Sequence, residues 1–196
     1  MKPDIFFSNP FKENVAIIGM GQEGKTNFLK WLLKWNPNPY ICFDTLGVVS
    51  RGFQPTRPKT QTIIKPVYRN RIAEFNKVCH DAFTRGNMIF AIDEVHNFTT
   101  KKTMEPELNP IINMGGNRNI AFWVTSRRVQ QVHNDILSQC RHHFIFRTYL
   151  PQDLDWYSQV VPKDIILMSK DLPPYHYIYY KLGSEPIIKK PVEDMG

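Results

Sequence analysis

The residues Gly19-Met20-Gly21-Gln22-Glu23-Gly24-Lys25-Thr26 lie between an apolar run, Asn14-Val15-Ala16-Ile17-Ile18, and a segment in which Phe28, Trp31, Leu32 and Trp35 recur three or four residues apart. That order predicts a buried strand, a tight turn and a helix whose apolar stripe faces a sheet. Glycine at positions 19, 21 and 24 allows close backbone approach to a bound group, successive N–H groups supply donors, and the helix adds the positive end of its dipole. Two glycines five residues apart followed by Lys-Thr, between strand and helix, complete a phosphate-cradling loop. The nucleotide-binding set is therefore Gly19, Met20, Gly21, Gln22, Glu23, Gly24, Lys25, Thr26 and Asn27. Lys25 is expected to meet the β- and γ-phosphates of ATP, and the Thr26 hydroxyl to ligate Mg2+.

Beyond the turn the chain alternates strand and helix signals. Tyr40–Asp44 reads as a strand, 63–67 as a short one, and 70–86 as a helix with Ile72, Phe75, Val78, Cys79 and Phe83 on its buried stripe. Asn87-Met88-Ile89-Phe90-Ala91-Ile92 is apolar throughout, the pattern of a strand covered on both faces. A short helix over 106–116, a strand over 119–126, a loop and helix over 127–140, a strand over 142–150 and a short helix over 154–161 follow. The expected fold is an α/β three-layer sandwich with a mainly parallel central sheet. Residues 1–196 are read as a single domain, with a β-hairpin near 174–190.

Asp93 and Glu94 end the apolar strand. Asp93 is placed to join Thr26 at the metal, and Glu94 to take a proton from the water attacking the γ-phosphate. Together with the phosphate loop, this pair favours ATP hydrolysis over passive binding. A second apolar strand ends in Thr125-Ser126-Arg127-Arg128, where Thr125 is the first choice for sensing the γ-phosphate and Ser126 the second. Arg118 is the first candidate for an arginine reaching a neighbouring subunit's phosphate, with Arg127 or Arg128 as the alternative.

A formal charge of +7 favours a polyanionic partner without identifying one. Arg57, Lys59 and Lys65, and then Lys101 and Lys102, are candidates for nucleic-acid phosphate. The three cysteines are widely spaced and form no metal-ligand pair, which fits a reducing compartment. The histidines are scattered, and adjacent His142 and His143 point to opposite faces of a strand. No apolar run is long enough to span a membrane, and 1–14 lacks the features of a secretory leader. The aromatic alternation over 175–180 reads first as packing of a terminal hairpin, then as a nucleic-acid surface.

The ordered set 19–26, 88–94, 119–128 and 132–148 resembles the FtsK/HerA superfamily of RecA-like ring ATPases, specifically the small genome-packaging ATPases of icosahedral viruses with an internal membrane. In relatives a strand ending in Thr-Gln-Arg precedes a helix with a pattern like Ile-Leu-Ser-Gln-Cys. Here Thr125-Ser126-Arg127 departs from the first, while Ile136-Leu137-Ser138-Gln139-Cys140 matches the second. The resemblance implies a homo-oligomeric ring, a pentamer or hexamer, that drives double-stranded DNA into a capsid using ATP. It also implies an intersubunit arginine, a partner at the capsid vertex or its membrane, and residence in the host cytoplasm or at the virion's packaging vertex. A phage-assembly or conjugation ATPase acting on single-stranded DNA is the alternative motor. A small-molecule kinase and a nonhydrolytic nucleotide-controlled scaffold are the readings outside that class.

Overall fold

A computed structural model describes residues 9–195; the expectation about a leader falls partly on residues 1–8, outside the described residues. The elements are β1 Val15–Ile18, α1 Lys25–Trp35, β2 Tyr40–Phe43, β3 Gln61–Ile64, α2 Arg71–Arg85, β4 Met88–Ile92, α3 Leu108–Met114, β5 Ile120–Ser126, α4 Asn134–Ser138, β6 His142–Phe146, α5 Pro151–Tyr157, α6 Lys163–Met168, β7 Tyr177–Lys181 and β8 Ile187–Lys189. The strands form one sheet in the order β3-β2-β4-β5-β1-β6-β7-β8. The first six in that order are mutually parallel, and β7 and β8 add antiparallel at the end. Helices on both faces complete a three-layer sandwich of the phosphate-loop NTPase type.

Burial explains why the inner strands read as continuous apolar runs. Every residue of β1, β4, β5 and β6 is buried, because side chains on both faces meet other layers. On one face Ala16, Phe43, Phe90 and Phe122 join Phe75, Cys79, Ile111, Ile136 and Tyr157 from the helices. On the other, Val15, Ile17, Ile89 and Trp123 pack with Phe28, Trp31 and Leu32 of α1. Phe28 is the hub there, with ring centroids 4.7 Å from both Phe144 and Tyr177. Truncating it to alanine would cost about 3–5 kcal/mol.

One sequence expectation needs correction, and one element has to be added. Ile72 is 51% exposed, because the first turn of α2 lies outside the buried cluster and the stripe begins at Phe75. Residues 163–168, not assigned from sequence, form α6 and bury Ile165 and Ile166. The aromatic alternation over 177–180 is absorbed by packing: Tyr177 and Tyr180 are buried, and Tyr179 stacks on Phe144 at 5.0 Å.

Strand order also places the site. Because β1 lies between β5 and β6, the turn after β1 emerges beside the carboxyl ends of β4, β5 and β6. Open α/β sheets bind ligands at that end.

Candidate functional site

The phosphate loop is suspended between two strand ends: Gly19 N–H donates to Ser126 O at 3.3 Å and Met20 N–H to Arg147 O at 3.0 Å. Glycine at position 19 is a steric requirement. Its φ is +154°, and a Cβ there would stand 2.5 Å from that of Phe146. Gly24, with φ +91°, begins α1. Within the loop, Glu23 is gripped by Arg147, whose Nε and Nη2 lie 2.9 and 2.6 Å from Oε1. Lys25 is buried and donates to Met20 O at 2.5 Å. Burial lowers its pKa against the raising charges of Glu94, Asp93 and Glu23.

Thr26, Asp93, Glu94 and Thr125 converge next to the loop. Asp93, 1% exposed, accepts at Oδ1 from the Thr125 hydroxyl at 2.9 Å and the Thr26 hydroxyl at 3.4 Å. Its Oδ2 is buried without a hydrogen-bond partner among the described residues. Burial first and the Glu94 charge second push the Asp93 carboxyl up to about 7, against the Thr125 hydrogen bond. A buried, unpaired carboxylate oxygen beside a threonine hydroxyl is a hard-oxygen donor set that suits Mg2+.

Glu94 sits in the left-handed region, φ 56° and ψ 56°, an uncommon state for a residue with a long side chain. Its N–H donates to the Thr125 hydroxyl at 2.8 Å. Its carboxylate accepts Arg127 N–H at 3.1 Å and lies 3.1 Å from His96 Nδ1. Burial alone would raise this carboxyl, but the His96 hydrogen bond and the Lys25 charge outweigh burial and hold it below the usual range. Thr125 is itself 1% exposed and bonded to both acids, so it links the pair to the end of β5.

The candidate arginines separate. Arg127 and Arg128 are exposed and line a cavity of about 610 Å³ with Met20, Gly21 and His96. Arg118 precedes β5, at the opposite end of the sheet from the chain's own phosphate loop. There it donates to Phe83 O at 3.2 Å and Thr84 O at 2.5 Å, capping the last turn of α2. The basic candidates separate too. Lys65 follows β3, and Lys101 and Lys102 lie beyond β4, at the site's end of the sheet; Arg57 and Lys59 precede β3, at the other. All five are exposed.

Several contributors were not assigned from sequence. Asp44 accepts N–H bonds from Val48, Val49 and Ser50 at 2.8–3.1 Å, fixing the loop after β2, while the Thr45 hydroxyl donates to Asp93 O. Tyr175, with φ 63°, stands 3.3 Å from where a Gly24 Cβ would be. With Phe146, Tyr177, Pro191 and Val192 it lines a cavity of about 430 Å³ beside Gly24 and Asn27. The carboxyl-terminal segment closes this cavity: Asn27 donates to Glu193 O at 3.0 Å and accepts from Met195 N–H at 2.7 Å. Residues 190–195, Lys-Pro-Val-Glu-Asp-Met, carry no periodic pattern that would have announced it.

Fold and loop together define a phosphate-loop NTPase architecture. Among solved structures the chain is similar to the genome packaging NTPase B204 of Sulfolobus turreted icosahedral virus 2 in complex with ATP-gammaS, at TM-score 0.77 and 20% identity over 94% of this chain and 100% of that one. B204 described as the DNA-packaging ATPase of Sulfolobus turreted icosahedral virus gives the same TM-score at 21% identity, covering 94% and 100%. The pCW3 conjugation coupling protein TcpA is more distant, at TM-score 0.59 and 15% identity over 91% of this chain and 60% of that one. Neither a protein-family model nor a curated protein matches the sequence.

Proposed function

We propose that this protein is a Mg2+-dependent ATPase that moves double-stranded DNA into a viral capsid as a homo-oligomeric ring. The observation that carries the hydrolytic part is the convergence of Lys25, Thr26, Asp93 and Glu94 on one side of the phosphate loop. Likeness to the packaging NTPases over nearly the whole of both chains supports the motor part.

In this reading residues 19–27 hold the triphosphate, and the nucleoside lies in the cavity lined by Tyr175, Phe146 and Val192. Thr26 and Asp93 would hold Mg2+, which when bound neutralises phosphate charge. The Lys25 ammonium sits among three carboxylates and turns to the β- and γ-oxygens. Glu94 takes a proton from a water; the water oxygen bonds to the γ-phosphorus as the bond to the β–γ bridging oxygen breaks, leaving ADP and inorganic phosphate. Loss of the γ-phosphate is read by Thr125, which bonds both acids and lies on β5. An arginine from the adjacent subunit stabilises transition-state charge, and Arg118, Arg127 and Arg128 remain its candidates. Lys65, Lys101 and Lys102 share the site's end of the sheet and are the better-placed DNA contacts. The working location is the host cytoplasm or the packaging vertex; among the described residues no helix is long and apolar enough to cross a membrane.

The test is ATP turnover with Mg2+, with and without duplex DNA of arbitrary sequence. Glu94→Gln should lower turnover about 100-fold or more while keeping ATP affinity, and Lys25→Ala should weaken ATP binding itself. Stimulation by single-stranded but not duplex DNA would move the reading to the alternative motor. Phosphate transfer to a small acceptor would overturn it.

A further inference from the structure

His96 is 7% exposed at its side chain and is unused in the hydrolytic scheme, yet its Nδ1 lies 3.1 Å from both Glu94 Oε2 and Ser126 Oγ. The Ser126 hydroxyl in turn accepts Arg128 N–H at 3.1 Å. The ring therefore ties the general-base candidate to the end of β5 and to the arginine pair. It also forms part of the wall of two cavities. One, of about 610 Å³, contains Met20 and Gly21 of the phosphate loop; the other, of about 600 Å³, contains Lys101 and Lys102.

The backbone between these cavities is short and braced. Val95–Asn97 form a single 3-10 turn in which Asn97 N–H and its side-chain amide both donate to Glu94 O, at 3.0 and 2.8 Å. Thr99 and Met104 then pair antiparallel, so 100–103 is a small hairpin, closed further by Thr100 hydroxyl contacts to residues 102 and 103. The Thr99 hydroxyl anchors this hairpin to Gln131 O at 2.9 Å. At its tip the Lys101 ammonium rests 4.9 Å from the centre of the Trp156 ring, whose N–H donates to Val132 O. An exposed cation–π contact of this kind is worth about 0.5–1 kcal/mol, little enough for a duplex phosphate to displace. Pulling Lys101 off the ring would load the hairpin, and the hairpin connects to Glu94 through one turn and one imidazole.

We propose that His96 is the positioning residue that holds Glu94 against β5 at rest and releases it when duplex DNA engages the Lys101–Lys102 hairpin, making hydrolysis depend on DNA. This rests on the ATPase and DNA reading of the same site. It predicts an asymmetric outcome on substitution. An alanine at 96 leaves the Glu94 carboxylate tied to β5 by the Arg127 N–H alone, so turnover without DNA should rise several-fold and the stimulation ratio should fall towards one. Asparagine places an amide N–H near the position of Nδ1 and should restore most of the ratio; glutamine, which carries its amide further out, should not.

The experiment is steady-state ATP turnover with and without duplex DNA for the wild type, His96→Ala, His96→Asn and His96→Gln. ATP affinity and far-ultraviolet circular dichroism are measured on each to exclude a folding defect. Lys101→Glu/Lys102→Glu is then combined with His96→Ala. The charge reversal should lower stimulation in the wild type and change nothing further once His96 is gone. Wild-type stimulation in His96→Ala, or a proportional fall with and without DNA, overturns the assignment while leaving the motor reading intact. A wild type that hydrolyses ATP with no response to DNA overturns the motor reading, and the role of His96 with it.

Discussion

At the amino-terminal ends of the parallel strands, Glu13 meets His142 Nε2 at 2.9 Å, His142 Nδ1 meets the Tyr179 hydroxyl at 2.9 Å, and His143 lies between the Tyr157 hydroxyl and Cys140 O. At the carboxyl-terminal ends, by contrast, Asp93 and Glu23 each bury one carboxylate oxygen with no partner. Among the described residues, the unpaired buried groups near the first end, the Tyr40 hydroxyl and the Trp35 N–H, are neutral donors. Backbone strain divides in the same way. Where φ is positive before β4 and β5 the chain uses Asn87 and Asn119, which tolerate it; around the phosphate loop it forces Gln22, Glu94 and Tyr175 into that region. One end is a scaffold whose unpaired buried groups carry no charge. The other stores unfavourable terms where a charged ligand would relieve them, as functional sites do.

The contrast makes opposite demands on pH. Burial lowers the His143 pKa to about 4 from the ordinary 6.5, so the unfolded chain binds its proton first. Stability is full above about pH 6.5 and should fall by about 3 kcal/mol as pH drops towards 4. Denaturant titrations across that window would show it, and His143→Asn should remove this limb; an unchanged limb would mean the scaffold end is not what acid attacks. Asp93 has the reverse sign. Its carboxyl is raised to about 7, so its contribution is largest below about pH 4 and is lost as pH rises through 7. In chelator at pH 7.5, Asp93→Asn should therefore gain about 2 kcal/mol of stability, and with Mg2+ restored it should lose turnover. A less stable variant would show that Asp93 holds the fold together.

Smaller effects sharpen the same division. Asn14 bridges β5 and the end of α4, accepting Phe122 N–H at 3.0 Å and donating to Gln139 O at 3.1 Å. Asn14→Ala should cost about 1–2 kcal/mol in thermal unfolding and leave ATP affinity alone. Arg118→Ala should cost less still, about 0.5 kcal/mol, if capping α2 is its whole role. A hundredfold fall in turnover of the assembled ring at unchanged stability would instead make it the intersubunit arginine.

How much of this was legible follows from the kind of signal each part leaves. The layered fold could be read because β1 and β4 are apolar throughout, β5 is apolar up to Thr125, and α1 and α2 keep a helical stripe. Lys25, Thr26, Asp93 and Glu94 could be located because the loop spacing is local and the acids end an unmistakable strand. The braces were not legible. Arg147 lies 124 residues from Glu23, Asn27 is 166 from Glu193, and His96 meets Ser126 across 30 residues. Such pairings exist only once strand order is known. Ile72 shows the converse limit, since a stripe in sequence does not say where the core that it faces begins.

The central position of β1 has a consequence for the order of synthesis. Gly19 and Met20 hang from the carbonyls of Ser126 and Arg147, and Asn27 from Glu193 and Met195. The segment made early on the ribosome is thus flanked entirely by segments made much later, a high contact order around the one loop that must be shaped most accurately. A nascent chain halted before residue 120 should expose β1 on both sides and bind no nucleotide, and the loop should close only after its last tether has left the exit tunnel.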